Sequence, residues 1–67
     1  MFWEVWIQRY DDYYFFRLHE NALNFARAWI NDNCNWTTDE IEDAFAQLEE
    51  EDCIEDYIYL TERSFED

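Results

Sequence analysis

Residues 2–10 are rich in aromatic and β-branched side chains, and apolar residues recur there at every second position, which is the pattern of a β-strand with one face against a core. A second segment rich in aromatic residues, 13–18, follows closely. Asp11 and Asp12 between them favour a turn, because aspartate adopts turn conformations and can bond its own backbone. The pattern therefore predicts a β-hairpin, and the lack of glycine favours a longer or bulged turn as much as a tight one. The inward face of its first strand would carry Trp3, Val5 and Ile7.

The period changes in residues 21–31, where apolar side chains recur every three or four positions. This spacing places them on one face of an α-helix. Asn21 is a suitable N-terminal cap, and the polar run 31–33 favours the end of the helix. The predicted apolar stripe consists of Ala22, Phe25, Ala26, Trp29 and Ile30.

A second helix is predicted from about residue 38 to residue 50. Thr37 can cap this helix, and Glu40 three residues later completes a capping box, in which each residue's side chain bonds the other's backbone. Asp39 and Glu40 also complement the positive end of the helix. Its apolar stripe consists of Ile41, Ala44, Phe45 and Leu48.

Alternation returns in residues 53–62, so a third strand is predicted after the two helices. Its inward side chains would be Ile54, Ile58 and Leu60, and its outward ones Tyr57 and Tyr59. The expected fold is a single α+β domain, residues 1–67, in the order β-β-α-α-β. In the simplest packing, both helices cover one face of a small antiparallel sheet.

The composition limits the class of protein. A chain of 67 residues forms one domain with a small core, and its 22% aromatic content both enlarges that core and argues against disorder. No apolar run approaches the roughly 20 residues of a membrane span, and no signal peptide is visible. We therefore expect a cytoplasmic protein in which Cys34 and Cys53 are free thiols.

The charge is the most unusual property of the chain. Eighteen acidic residues accompany only four arginines, and there is no lysine, so the net charge is −14. Direct nucleic-acid binding is disfavoured, because it needs cations that replace the counterions of phosphates. Binding to an anionic membrane surface is disfavoured for the same reason.

The excess of negative charge lies in the second half of the chain. Residues 1–33 have a net charge of −2 and residues 34–67 a net charge of −12. On the second predicted helix, the acids fall opposite the apolar stripe, so we expect them in solvent. The predicted partner-binding surface comprises Asp39, Glu42, Asp43, Glu49, Glu50, Glu51, Asp52, Glu55 and Asp56.

Such a surface can imitate a nucleic acid. A DNA duplex presents one negative charge per roughly 1.7 Å of its axis. Carboxylates one turn apart on a helix are separated by roughly 5.4 Å along its axis, and neighbouring loops can fill the gaps. Long-range attraction would then bring the basic groove of a DNA-binding protein to this surface.

The acidic stretches Thr37–Asp43 and Glu49–Asp52, with Glu55 and Asp56, give the chain a resemblance to small phage-encoded DNA-mimic proteins, which include anti-CRISPR and anti-restriction inhibitors. The resemblance covers size, charge and aromatic content. It implies a stoichiometric inhibitor that blocks DNA binding by a host defence complex, without indicating which complex. Among these targets we favour a type I CRISPR surveillance complex, because its basic DNA-recognition sites suit such an inhibitor. It also implies a location in the cytoplasm of a phage-infected bacterial host.

The sequence is also compatible with other functions. Exposed aromatic residues often mark a protein interface, so the chain could bind a protein, or a second copy, through the uncovered sheet face. This possible second interface comprises Trp6, Tyr13, Phe15, Tyr57 and Tyr59. We expect no enzymatic activity, metal or cofactor, because His19 has no recognisable nucleophile and the cysteines form no metal-binding spacing. The choice between monomer and homodimer stays open.

Overall fold

The structure is a computed structural model that describes residues 1–64. These residues contain two helices and four strands, joined by turns and loops. The elements in chain order are β1 (Phe2–Ile7), β2 (Asp12–Phe16), α1 (His19–Asn33), α2 (Thr38–Glu51), β3 (Cys53–Ile54) and β4 (Ile58–Arg63).

The strands form one antiparallel sheet in the order β2-β1-β4-β3. Val5 in β1 lies opposite Tyr14 in β2 and Leu60 in β4, so the apolar residues of three strands share one face. The predicted α+β class and the order β-β-α-α-β are confirmed. The predicted third strand is divided into two, the short β3 and the longer β4.

The turn of the first hairpin is the longer of the two predicted forms, and it begins before Asp11. β1 ends at Ile7, and Asp12 already pairs with Ile7 as the first residue of β2. The turn therefore spans residues 8–11, and Asp11 adopts a positive φ of 54°. The chain has no glycine for this conformation, and aspartate is one of the few other residues that adopts it readily.

The prediction of a single strand over residues 53–62 is wrong. It contains a second turn between β3 and β4, closed by a 2.9 Å hydrogen bond from Tyr57 N–H to the Ile54 carbonyl. Asp56 in this turn has a φ of 72°, and Asp52 at the end of α2 has a φ of 58°. The positive-φ residues of the described chain are all aspartates, so part of the acidic composition serves the backbone.

Helix α1 begins and ends two residues beyond the predicted limits. Its N-terminal cap is Leu18, which makes no side-chain capping bond, and Asn21 lies inside the first turn instead. At the other end, the polar residues 31–33 remain helical. The side-chain amide of Asn33 donates a 3.0 Å hydrogen bond to the Trp29 carbonyl.

Helix α2 confirms the predicted capping box. The Thr37 hydroxyl accepts a 3.3 Å hydrogen bond from the Glu40 N–H, and the Glu40 carboxylate accepts a 3.1 Å bond from the Thr37 N–H. This arrangement satisfies backbone donors that have no partner inside the helix. The capping box therefore fixes the first residue of α2, which is the most acidic element among the described residues.

Both helices pack on the same face of the sheet. The buried core consists of Val5, Ile7, Ala22, Ala26, Ile30, Ala44, Leu48, Ile54, Ile58 and Leu60. The small side chains of Ala22 and Ala26 let α1 lie close to the sheet. Neither helix covers the opposite face, and neither is long and apolar enough to cross a membrane.

Candidate acidic binding surface

The solvent-facing side of α2 holds most of the acids singled out in the sequence. Ala44 and Leu48 are buried, so side chains on the opposite side of the helix point into solvent. The exposed acids of the predicted surface on this helix are Asp39, Glu42, Asp43, Glu49, Glu50 and Glu51.

The turn between β3 and β4 adds two more exposed acids, Glu55 and Asp56. β3 follows α2 directly and packs against it, so this turn belongs to the same end of the molecule. The backbone N–H of Asp56 donates a 3.0 Å hydrogen bond to the Tyr59 hydroxyl, and the Asp56 residue itself is exposed.

Two of the nine predicted surface residues bind basic side chains of the protein itself. Glu49 forms an ion pair with Arg27 of α1. The Asp52 carboxylate lies 2.6 Å from His19 Nε2, and the His19 ring packs against Trp3 with ring centroids 4.3 Å apart. Both acids thus join the end of α2 to α1, so they hold the surface in place as well as contributing charge.

The other seven carboxylates accept no hydrogen bond and form no ion pair within residues 1–64. We call these seven residues the acidic surface: Asp39, Glu42, Asp43, Glu50, Glu51, Glu55 and Asp56. Their charges are uncompensated by the protein, so they are available to a positively charged partner.

The charge density of α2 lies in the range of a nucleic acid. Seven acids occur from Asp39 to Glu51, a length of about 18 Å, which gives one charge per about 2.6 Å. A duplex carries one charge per roughly 1.7 Å, and each of its strands one per roughly 3.4 Å. The helix charges form two groups, 39–43 and 49–51, whose nearest members are separated by about 9 Å along the axis.

The two cysteines are free thiols, and nearby charges change their pKa values in different ways. Burial raises the pKa of the Cys53 thiol, and the carboxylates of Glu51, Glu55 and Asp52 raise it further. Burial also raises the pKa of Cys34, but the Arg9 guanidinium acts in the opposite direction there. Cys53 thus lies in a negative potential that Cys34 does not share.

Added salt should therefore change the pKa values of the two thiols in opposite directions. Screening of the carboxylates should lower the pKa of Cys53 between about 10 mM and 500 mM NaCl, and screening of Arg9 should raise that of Cys34 slightly. The measurement is the rate of alkylation by uncharged iodoacetamide against pH, followed by mass spectrometry of each cysteine peptide. Equal responses of the two thiols would contradict the assigned potential.

Aromatic rings cross the uncovered face of the sheet. Trp6 in β1 lies between Tyr13 in β2 and Tyr59 in β4, with ring centroids 6.2 and 5.6 Å apart. The Trp6 indole N–H donates a 2.8 Å hydrogen bond to Asp11, which orients the ring. We call Trp6, Tyr13, Phe15 and Tyr59 the aromatic face.

Tyr57 does not belong to the aromatic face, which corrects the prediction. It lies in the turn before β4, packs against the core, and meets the Trp36 ring edge-on at 5.0 Å. The turn interrupts the alternation on which the prediction rested, so Tyr57 and Tyr59 point to different sides.

One ion pair on the uncovered face was not predicted from the sequence. Arg63 Nε donates a 2.8 Å hydrogen bond to Glu4, whose side chain is only 12% exposed. The two residues are distant in sequence, so only the register between β1 and β4 reveals the pair. Among residues 1–64, no group of three or more His, Cys, Asp or Glu side chains could hold a metal ion.

Comparisons with protein-family models, with curated protein sequences and with solved structures found no match to this chain.

Proposed function

We propose that the protein is a stoichiometric inhibitor that imitates double-stranded DNA and occupies the basic DNA-binding groove of a host defence complex. The observation that supports this function is the acidic surface: seven exposed carboxylates without a partner among residues 1–64, on a capped helix and an adjoining turn. A surface with this much self-repulsion lowers stability, and a small domain does not need it merely for solubility.

The mechanism follows from electrostatics. Attraction between the acidic surface and a basic groove increases the rate of encounter, and the carboxylates then take the positions of phosphates. The helix and turn are held by the capping box and by the contacts of Glu49 and Asp52 with α1. Because the surface has no bases or phosphodiester bonds, the bound complex can neither read nor cut it.

The favoured target is a type I CRISPR surveillance complex in the cytoplasm of a phage-infected bacterium. The resemblance to small acidic phage inhibitors suggests a host defence complex, and the basic DNA-recognition sites of type I complexes suit an acidic inhibitor. A restriction enzyme is the alternative target of the same mechanism. Neither requires catalysis, a metal or a cofactor, because the inhibitor acts by occupying a site.

The direct test is competition for a purified, guide-loaded type I complex. Preincubation with the protein should abolish the gel shift of a labelled target duplex at about one molecule per binding groove. Its own affinity for the complex should fall by about 10–100-fold from 50 to 200 mM NaCl, because screening weakens the attraction. Simultaneous binding of protein and duplex, with an affinity insensitive to salt, would reject DNA mimicry. A parallel assay with restriction enzymes tests the alternative target.

The aromatic face supports a second candidate, an inhibitor or adaptor that binds a protein through apolar contacts. The supporting observation is the row of Tyr13, Trp6 and Tyr59 across three strands, which neither helix covers. Aromatic residues contribute much of the binding energy at protein interfaces. This candidate predicts an affinity that changes little with salt and is lost in Trp6→Ala.

A further inference from the structure

The exposed apolar side chains of this protein concentrate at one edge of the sheet. β2 is the edge strand, and four of its five residues are exposed. Five of the six large apolar residues that are exposed in the described chain lie between residues 10 and 18: Tyr10, Tyr13, Tyr14, Phe15 and Leu18. An edge strand of this kind is a template for pairing with another strand.

The register shows which backbone groups the edge offers. The N–H of Gln8, next to the end of β1, donates a hydrogen bond to the Tyr57 carbonyl next to the start of β4. Because backbone groups alternate in direction along a strand, the even-numbered residues of β1 bond toward β4. The odd-numbered residues of β1 therefore bond toward β2. The odd-numbered residues lie opposite Asp12, Tyr14 and Phe16. By alternation, Tyr13 and Phe15 direct their N–H and C=O groups away from the sheet, where no strand of residues 1–64 lies.

We propose that a second copy of the chain pairs with this edge, forming an antiparallel β2–β2 contact that joins the two sheets into one. A two-fold axis through Tyr14 places Tyr13 of each copy opposite Phe15 of the other. These are the residues whose backbone groups point outward, so each such pair exchanges both hydrogen bonds.

The charges at the two ends of β2 are complementary to those of a second copy in antiparallel orientation. Asp11 and Asp12 lie at one end of β2, and Arg17 follows the other end. Antiparallel pairing about Tyr14 brings Arg17 of each copy to the aspartate end of the other, so opposite charges meet twice. It also places Tyr13 against Phe15 on the aromatic face, and aromatic cross-strand pairs stabilise a sheet.

The acidic surface does not prevent this dimer. α2 packs against β3, which lies at the other edge of the sheet, three strand spacings or roughly 14 Å from β2. Electrostatic repulsion is largely screened beyond about 10 Å at 0.1 M salt. Both acidic surfaces stay exposed in the dimer, so this proposal stands independently of the proposed function.

The test is sedimentation velocity of the whole chain in about 150 mM NaCl, a physiological ionic strength, at protein concentrations from about 1 to 500 µM. The wild-type chain should change from monomer to dimer within this range. Phe15→Pro removes an outward N–H without removing a β1–β2 hydrogen bond, so it should remain monomeric with an unchanged circular dichroism spectrum. A wild-type chain that stays monomeric, or a folded Phe15→Pro variant that still dimerises, would overturn the proposal.

A charge variant tests the same contact without altering the backbone. Arg17→Glu places like charges at both ends of the paired strands and should raise the dimer dissociation constant at least about tenfold. Arg27→Glu is the matched control, because Arg27 binds Glu49 of α2 and lies away from the proposed contact. Equal dissociation constants for the two variants would contradict antiparallel pairing about Tyr14.

Discussion

Replacement of Leu48 by alanine is expected to lower the free energy of unfolding by about 2–5 kcal/mol. Leu48 is fully buried at the centre of the core, where α2 meets the sheet. The smaller side chain removes apolar contacts and leaves a cavity that a close-packed interior fills only partly. Small domains have a total stability of about 5–15 kcal/mol, so this variant should be partly unfolded at 37 °C.

Urea denaturation followed by tryptophan fluorescence measures this change. Leu18→Ala is the matched control, because it removes the same atoms from a leucine that is 57% exposed. Its effect should be within about 0.5 kcal/mol, as for most surface substitutions. If Leu48→Ala and Leu18→Ala cost the same, α2 does not pack on the sheet as described.

The parts of the fold with strong local signals could be predicted from sequence. Helix α2 combines an apolar stripe with a capping box, and both act within a few residues of one another. The first strand likewise follows from alternation, because Val5 and Ile7 must share a face in any extended segment. These features depend on neighbours in sequence, so they required no knowledge of the tertiary structure.

The turns were harder to predict, because three aspartates adopt a conformation that usually indicates glycine. Asp11, Asp52 and Asp56 all have positive φ values. In a chain with so many acids, nothing in the sequence distinguishes these three from acids that only carry charge. The turn at Asp56 was therefore missed, and with it the division of one predicted strand into β3 and β4.

The exposed acids of α2 could be placed from sequence, but their internal partners could not. The helical period puts Asp43 and Glu50 on the solvent side, whatever the rest of the fold. The contacts of Glu49 with Arg27 and of Asp52 with His19 depend instead on how α1 packs beside α2. Such contacts join residues far apart in sequence, so periodicity gives no information about them.

The second large effect is expected from reversal of charge on the acidic surface. A triple variant, Glu42→Lys, Asp43→Lys and Glu50→Lys, should lower the affinity for the basic partner by about 100-fold or more, because attraction becomes repulsion at three positions. Folding should be preserved, since Asp43→Lys replaces a like-charged pair with Asp39 one turn earlier and Glu50→Lys puts a cation near the helix C-terminus.

The matched control separates the acidic surface from net charge. Glu20→Lys, Asp32→Lys and Glu62→Lys change the net charge by the same amount at exposed positions outside α2 and the β3–β4 turn. Affinity is measured for both variants with the type I complex, alongside circular dichroism of each protein. DNA mimicry by α2 predicts a large loss for the first variant and a small one for the control. Similar losses would show that overall charge governs binding, and wild-type affinity in the first variant would exclude the acidic surface from the interface.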